Sequence, residues 1–423
     1  LELGSFCPGD NQDAASQGGE MARTLEIAIA GAGIGGLALA TLLARRGHSV
    51  RVFDQFASPK PIGSGLMLQQ TGLAVLDQLG LRAEIDLLGK PIERLWGLTT
   101  PSLRPVLDVR YGKWKRGLYG LGVQRGLVFE TLLNAALTSG VELVPNSLVV
   151  SADPARPSLL LESGQRVNGM DLVVLAHGAR SNLTPEDQGV DLPYGALWAT
   201  LPWPATGPFD PAALEQRYLK AQQMSGVMPS GRLSAEAPET LTYFWSIRAD
   251  QEADWRLKPL DVWKQDAIQL WPETESLMPH FQSHDDLTFA RYRHHTAREP
   301  VAGRGLVRMG DAWHAASPQL GQGANMALLD AWALALALAR NAEVSEALQA
   351  YLRLRRGHVR LYQWMTWLFT PVYQGDSRIL PWLRDWLAAP ISKIWPAPPL
   401  LAAMVSGAIG APLNRLDLSL REV

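Results

Sequence analysis

The chain has 423 residues, 47% hydrophobic and 19% charged, with 39 Lys and Arg against 41 Asp and Glu for a net charge of −2. That is enough chain for one large or two moderate domains with a sizeable core, and the charge balance gives no electrostatic reason to expect a nucleic acid partner. Cys7 is the only cysteine, which excludes disulfides within the chain and cysteine-based metal or nucleophile chemistry.

Residues 1–20 are rich in Gly, Ser, Gln and Asp and carry no apolar periodicity, so they read as a disordered extension ahead of Met21. They lack the charged and apolar regions of a secretory signal, and the expected location is the cytoplasm. The fold signal starts at residues 25–30, an apolar run of strand length. Gly31-Ala32-Gly33-Ile34-Gly35-Gly36 follows at once, and residues 37–44 read as a helix. In such a strand-turn-helix unit Gly31 takes a turn conformation that a side chain obstructs, Gly33 lets a pyrophosphate approach the backbone, and Gly36 lets helix and strand pack closely. The helix N-terminus then offers free N–H groups to the phosphates. A second strand, Ser49–Phe53, ends at Asp54, close to the separation of about twenty residues expected for a carboxylate that binds a ribose hydroxyl. This pattern predicts a dinucleotide-binding unit without choosing between NAD and FAD.

Further along, the Gly-Ser-Gly segment at 63–68 precedes a helix predicted over 71–79, and strands are expected at 94–100 and 103–110. Arg125 opens a helix with leucines at helical spacing. Residues 141–144 and 148–150 read as a small sheet ahead of short strands at 159–161 and 166–167. A buried-looking strand over 171–176 runs into His177-Gly178-Ala179-Arg180-Ser181. The stretch from 183 to about 299 is richer in Pro and Trp, with strands predicted at 195–203, 241–248 and 286–293 and a helix at 261–271. A strand at 306–309 then leads to Gly310-Asp311, and a glycine-rich turn from Pro318 to Asn325 opens the helix Gly323–Arg340, which is apolar nearly all round except at Asp330 and reads as buried.

The remaining chain is unusually apolar and tryptophan-rich, at 361–369, Trp382, Trp386, Trp395 and 400–404. No run reaches the roughly eighteen apolar residues a transmembrane helix needs. Two readings stand for it. It is helical core or a subunit contact, or its aromatics sit at a membrane surface and collect a lipophilic substrate.

The motifs around Gly31, His177, and Asp311 with Pro318–Asn325, in this order, resemble the flavoprotein aromatic hydroxylases, the group A monooxygenases that fold like para-hydroxybenzoate hydroxylase. Asp376-Ser377-Arg378 and Leu383-Arg384-Asp385 are similar to the tail of the hydroxylases of ubiquinone biosynthesis. The resemblance covers most of residues 21–410. It implies an α/β fold: a Rossmann-type FAD-binding domain from 21–182 and 301–345, an inserted β-sheet substrate domain at 183–300, and a C-terminal helical region at 346–423. The cofactor implied is FAD, with NADH or NADPH as reductant. By resemblance, Asp311 meets the ribityl chain and Arg125 lies against the FAD. Pro318, Gly321, Gly323, Ala324 and Asn325 form a turn beside the isoalloxazine, with the segment at 63–68 nearby. A helix N-terminus suits that place, because reduced flavin carries negative charge.

The activity implied is monooxygenation. NAD(P)H and O2 are used to hydroxylate or epoxidise an aromatic or other lipophilic small molecule through a flavin C4a-hydroperoxide, which must be kept dry. No residue need act as a nucleophile, and none is assigned a catalytic role. Tyr243, Trp245, Arg248, His280, His284, His294 and His295 lie in the expected substrate region, where a base removing a phenolic proton would act; such residues are more often surface or core. The histidines lack metal-ligand spacing. A flavin-dependent halogenase, of which Phe244-Trp245-Ser246-Ile247 is a partial echo, an O2-independent FAD oxidoreductase, and a flavin-binding sensor or scaffold are the alternatives.

One position departs from the family. His177-Gly178 stands where the family usually has Asp-Gly. An ionised carboxylate only accepts hydrogen bonds, whereas an imidazole donates one and accepts one or carries charge. The motif is linked in the family to FAD and nicotinamide binding, so the change bears on nicotinamide use more than on FAD, unless His177 is simply a tolerated turn residue.

Overall fold

The computed structural model describes residues 23–58, 64–179, 183 and 189–420. The expected extension at 1–20, together with Gly63, Arg180 and Ser181 of the quoted motifs, lies outside them. The chain opens with β1 (Glu26–Ala30), α1 (Ile34–Ala44) and β2 (Ser49–Phe53), the predicted nucleotide-binding unit. Then come β3 (Gly65–Leu68), α2 (Gln70–Gln78), α3 (Arg82–Leu88), β4 (Lys90–Ile92), β5 (Arg94–Thr99), β6 (Pro105–Arg110), β7 (Gly120–Gln124) and α4 (Arg125–Thr138). Strands β8 (Glu142–Val144), β9 (Val149–Asp153), β10 (Ser158–Leu161), β11 (Arg166–Val167) and β12 (Leu172–Leu175) follow.

The middle of the chain supplies β13 (Val190–Pro202), β14 (Ala213–Leu219), β15 (Gln223–Gly231), β16 (Thr240–Arg248), α5 (Glu252–Leu257), α6 (Leu260–Leu270) and β17 (Thr288–His294). It returns through β18 (Val301–Ala302), β19 (Leu306–Arg308), α7 (Asp311–His314), α8 (Gly323–Arg340) and α9 (Val344–Tyr373) to the C-terminal helices α10 (Ile379–Leu383), α11 (Ala389–Ile391), α12 (Ala397–Val405) and α13 (Pro412–Arg415).

A six-stranded sheet in the order β18-β19-β12-β1-β2-β8 forms the nucleotide-binding layer, parallel except for β18. Its central strands read as continuous apolar runs because both faces are covered. Helix α1 is buried along nearly its whole length, packed between the sheet and the neighbouring helices α4 and α8. A side chain of any size at Gly35 would press on Ala327 of α8 and Met309.

Residues 142–144 pair with β2 at the edge of this sheet, so the predicted small sheet is corrected: it consists of β9, β10 and β11 alone. Residues 142–144 carry too little local pattern to show which sheet they complete.

The second layer is a seven-stranded sheet, β17-β13-β16-β15-β14-β5-β6. Strands β5 and β6, expected within the first FAD-binding segment, are part of it: β5 runs parallel to β14 from Arg94↔Ala213 to Thr99↔Tyr218. Strands β14 and β15 had no counterpart in the sequence reading. Ala-Leu-Glu-Gln-Arg-Tyr-Leu has helical propensity, and Gln223–Gly231 contains two glycines and a proline; pairing on both sides overrides these local preferences. A small sheet, β3-β7-β4, bridges the layers, with Gly65 N donating to Thr242 Oγ1 of β16 at 3.0 Å.

Helix α8 spans the predicted residues and is buried almost all round. Trp364, Trp367, Trp382, Trp386 and Trp395 are between 55% and 82% exposed. The core reading of these five side chains therefore fails, because the helical segments that carry four of them, and the turn that carries Trp395, point these side chains outward.

Candidate active site

The glycine-rich turn follows β1. Gly31 has φ +110°, a backbone conformation side chains avoid, and a Cβ there would lie 2.6 Å from Ala176 O at the end of β12. A Cβ on Gly36 would collide with Gly31 O, so that glycine is required by the helix's close approach to its own turn. Gly33 differs. Its backbone is extended, with φ −79° and ψ 178°, and a Cβ would meet nothing within 4 Å. Nothing in the protein requires glycine at Gly33, and the space over it is left open at the uncapped N-terminus of α1, where the first N–H groups have no side-chain partner. An anionic pyrophosphate fits that cradle.

Asp54 closes β2 and turns back on the same loop. Its Oδ2 accepts from Ala32 N at 2.9 Å and its Oδ1 from Phe56 N at 3.0 Å. The carboxylate thus holds the glycine turn in place, and each oxygen retains a lone pair for a hydroxyl.

A single cavity of about 1120 Å³ runs from Ser64, Arg125, Asp311 and Pro318–Ala324 to the inner face of the seven-stranded sheet. That exceeds a typical pocket of about 300–1,000 Å³, so a flavin ring and a substrate fit side by side. Arg125 and Asp311 lie deep in the molecule but are open to this cavity. Burial lowers the Arg125 guanidinium from its ordinary value, with Asp311 opposing. Burial raises the Asp311 carboxyl, while His314 and Arg125 pull it back. Gly321 is at φ +61°, which turns the chain so that α8 points its uncapped N-terminus, Gly323 and Ala324, at the cavity. Asn325 is fully buried and does not line the cavity. Its amide ties the turn together, accepting from Gln69 N at 2.7 Å and donating to Gly321 O at 2.9 Å and Met67 O at 3.2 Å.

Behind the turn lies a buried network that the sequence reading missed, although Asp330 was its visible sign as the lone charge in an apolar helix. Asp330 is fully buried on α8. Its Oδ2 accepts from Gly310 N at 2.8 Å and hydrogen-bonds His314 Nε2 at 2.6 Å, and its Oδ1 accepts from Arg355 Nε at 2.6 Å. Burial alone would raise this carboxyl, but His314 and Arg355 outweigh it and hold its pKa at about 2. Arg355 Nη1 donates to His358 Nδ1 at 2.9 Å, and His358 Nε2 donates to Gly407 O at 3.0 Å. Burial, then Arg355, brings the His358 pKa down to about 3. The network fixes Gly310, and with it Asp311, against three helices.

The substrate end of the cavity is apolar, with Leu95, Val106, Leu214, Met228 and Phe244 among its walls. Several of its polar groups are paired with one another or with backbone. Tyr218 donates to Gln216 Oε1 at 2.7 Å, Trp198 Nε1 donates to the Tyr292 hydroxyl at 3.0 Å, and Tyr373 donates to Val106 O at 3.2 Å. Burial raises all three phenols, so none is poised as a base at neutral pH. Arg384 is held by Asp385, Val372 O and Lys220 O and stacks on Tyr218 and Tyr373. Arg293 donates to Gly189 O at 3.1 Å.

The sequence candidates for a catalytic base lie elsewhere. None of Tyr243, Trp245, Arg248, His280, His284, His294 and His295 lines the cavity. Alternation along β16 points Phe244 into the cavity and Tyr243 and Trp245 to the opposite face, where they pack with Trp263. Arg248 is held by Asp250 and Asp376. His177 follows β12 beside the Gly31 turn. Burial, with the charges of Arg308 and His295, lowers its pKa to about 4, and its Nδ1 has no hydrogen-bond partner among the described residues.

A Rossmann-type nucleotide layer, a sheet-walled pocket and a flavin-sized cavity between them define the class of FAD-dependent monooxygenases with the para-hydroxybenzoate hydroxylase-like fold. The chain belongs to the family described as FAD binding domain, whose profile matches residues 24–132 and 198–362. Among its relatives is a probable 2-heptyl-3-hydroxy-4(1H)-quinolone synthase of Rhodococcus erythropolis, 26% identical over 383 residues, or 86% of this chain and 91% of that protein. Another is the 6-hydroxynicotinate 3-monooxygenase of Pseudomonas fluorescens, 26% identical over 83% of this chain and 93% of that one. In fold the chain is similar to 2-methyl-3-hydroxypyridine-5-carboxylic acid oxygenase, with a TM-score of 0.71, 21% identity, and coverage of 87% of this chain and 98% of that chain. It is an FAD-dependent monooxygenase that takes a small-molecule substrate and O2.

Proposed function

We propose that this monooxygenase uses NADH or NADPH to insert one oxygen atom of O2 into a large, uncharged, apolar aromatic substrate, the second oxygen leaving as water and the nicotinamide being oxidised. Bound FAD would supply the activation of O2. The observation that carries the reading is the continuous cavity, cofactor-facing at Arg125, Asp311 and Pro318–Ala324 and apolar at the sheet.

In this reading Gly31, Gly33 and Gly36 with the α1 N-terminus hold the pyrophosphate, Asp54 a ribose hydroxyl, Asp311 the ribityl chain, and Arg125 the flavin edge. Pro318 and Gly321, whose N–H is taken by Pro318 O at 2.8 Å, shape the turn; Gly323 and Ala324 at the uncapped α8 N-terminus offer N–H groups toward the ring, and Asn325 braces that turn. The apolar walls at Leu95, Val106, Leu214 and Met228 exclude water from the reacting atoms. Substrate charge is argued from the arginines. Arg384 is committed to protein groups, Arg125 and Arg291 also have protein partners, and Arg293 donates one N–H to Gly189 O while its Nε, which has no hydrogen-bond partner among the described residues, faces Asp191 Oδ1 at 3.8 Å, so a substrate carboxylate would have to compete for arginines that are already engaged. The quinolone named for one relative is of the uncharged kind; the nicotinate named for the other is not.

The test is anaerobic reduction of the FAD-loaded protein by NADH and by NADPH, followed by flavin bleaching, with neutral alkylated quinolones, quinols and polycyclic phenols set against hydroxylated aromatic carboxylates. Acceleration by a neutral member, and labelled oxygen in its product when the same mixture is turned over under labelled O2, is the expected result. Acceleration by carboxylates alone overturns the substrate class, and turnover without label in the product overturns oxygen insertion.

A further inference from the structure

We infer that the mouth of the cavity is a docking surface for an anionic lipid bilayer. Leu383, Leu387, Ile391 and Leu400 both line the cavity and are 38–55% exposed, so the cavity opens to the outside through them. The surface around that opening stays apolar: Trp382, Trp386, Ile394 and Trp395 are between 55% and 82% exposed. Clustered apolar exposure on this scale marks a surface that something covers.

The charges beside it state what kind of surface. Arg104 stacks on the Trp386 ring at 3.8 Å. Lys393 is exposed one residue before Ile394, and Arg378 is exposed one residue before α10. Lys113, Lys115 and Arg116 are exposed on the turn around Trp114, which packs into the same cluster as Ala402 and Val405 of α12. Between residues 377 and 416 the single carboxylate is Asp385, and it pairs with buried Arg384 at 2.7 Å. Tryptophans that enter the headgroup layer, beside lysines and arginines that meet lipid phosphates, are the chemistry of an interfacial surface.

A second copy of the chain fits less well. It would bring a like positive rim against this one and would seal the mouth, whereas a bilayer leaves the mouth open toward the acyl layer where an apolar substrate dissolves. Among the described residues no helix is long and apolar enough to cross a membrane, and the contact inferred is peripheral. Delivery of substrate by this route rests on the function proposed above; the docking itself does not.

The experiment is flotation of the full, FAD-loaded chain with vesicles of phosphatidylcholine containing phosphatidylglycerol, and with phosphatidylcholine alone, alongside sedimentation velocity without lipid. Expected are flotation with the anionic vesicles, at least tenfold weaker partitioning for Trp382→Ser/Trp395→Ser, and a similar loss for Lys113→Glu/Lys115→Glu, both variants keeping FAD absorbance and melting temperature. No flotation, or flotation the variants leave unchanged, overturns the inference. So does a concentration-dependent dimer that Trp382→Ser/Trp395→Ser dissolves, which assigns the surface to a second copy. Because flotation needs no turnover, failure of the proposed reaction and failure of docking are read separately.

Discussion

Three glycines in one turn serve different physical ends, and substitution separates them. Gly31 and Gly36 meet the protein's own backbone, while Gly33 meets open space. Gly36→Val is expected to destabilise the apoprotein by about 3 kcal/mol or more, as overpacking against backbone does. Gly33→Val is expected to leave the apoprotein's melting temperature within a few degrees of the parent while weakening FAD retention at least tenfold, read as flavin absorbance per folded chain. A yellow, saturated Gly33→Val protein would remove the pyrophosphate assignment. At His177 the ring is neutral at pH 7, since its pKa lies at about 4. If the missing carboxylate slows hydride transfer, His177→Asp speeds flavin reduction by NAD(P)H in stopped-flow bleaching with FAD content unchanged; an equal or slower rate would make His177 a turn residue only. The structural parts of Gly31, Gly36 and Asp54 were readable in the sequence because close approach and turn geometry restrict residue type at fixed spacing. The unpartnered Nδ1 of His177 was not, because it depends on what surrounds the ring.

Among elements, α7, α8 and α9 are joined by one buried charge cluster, and its acid response follows from the directions of the shifts. The Asp330 carboxyl is depressed to about 2, so its contribution is present above the ordinary carboxylate value and is lost as pH falls toward 2. The His358 imidazole is depressed to about 3; the folded state keeps it neutral, so stability is full above its ordinary value near 6.5 and declines as pH falls below that, where the unfolded chain takes up the proton first. From pH 6.5 to 5 this alone amounts to about 2 kcal/mol. Chemical denaturation at the two pH values checks it, and His358→Gln is expected to flatten the slope. Asp330→Asn leaves Arg355 buried without its carboxylate and is expected to cost about 3–5 kcal/mol, with a lower melting temperature and looser FAD. At this scale legibility divided by period. Helix α8 and strand β2 carried strong local patterns and ran as predicted, whereas β14 and β15 have weak strand sequences and exist because β5 and β16 pair with their outer edges.

For the molecule as a whole, the reaction proposed above makes the cavity between the two layers the place where substrate is selected. Leu214, on β14, is part of its wall, and Leu214→Trp is expected to raise KM for polycyclic substrates at least tenfold while FAD binding and NAD(P)H oxidation without substrate stay unchanged. Equal turnover of the largest substrates would place them elsewhere. The sequence by itself determined the β1-α1-β2 unit, the strand β19 that returns the chain to the same sheet and the buried α8, because these rest on contacts between near neighbours and on steric demands that only certain residues meet. Tertiary structure alone decided that residues 94–110 wall the substrate pocket, that Tyr243 and Trp245 face away from it, and that the C-terminal tryptophans lie outside the core. Each of those depends on which distant strand or helix a segment meets, and the same alternation or apolar run serves equally well on either face until the partner is in place.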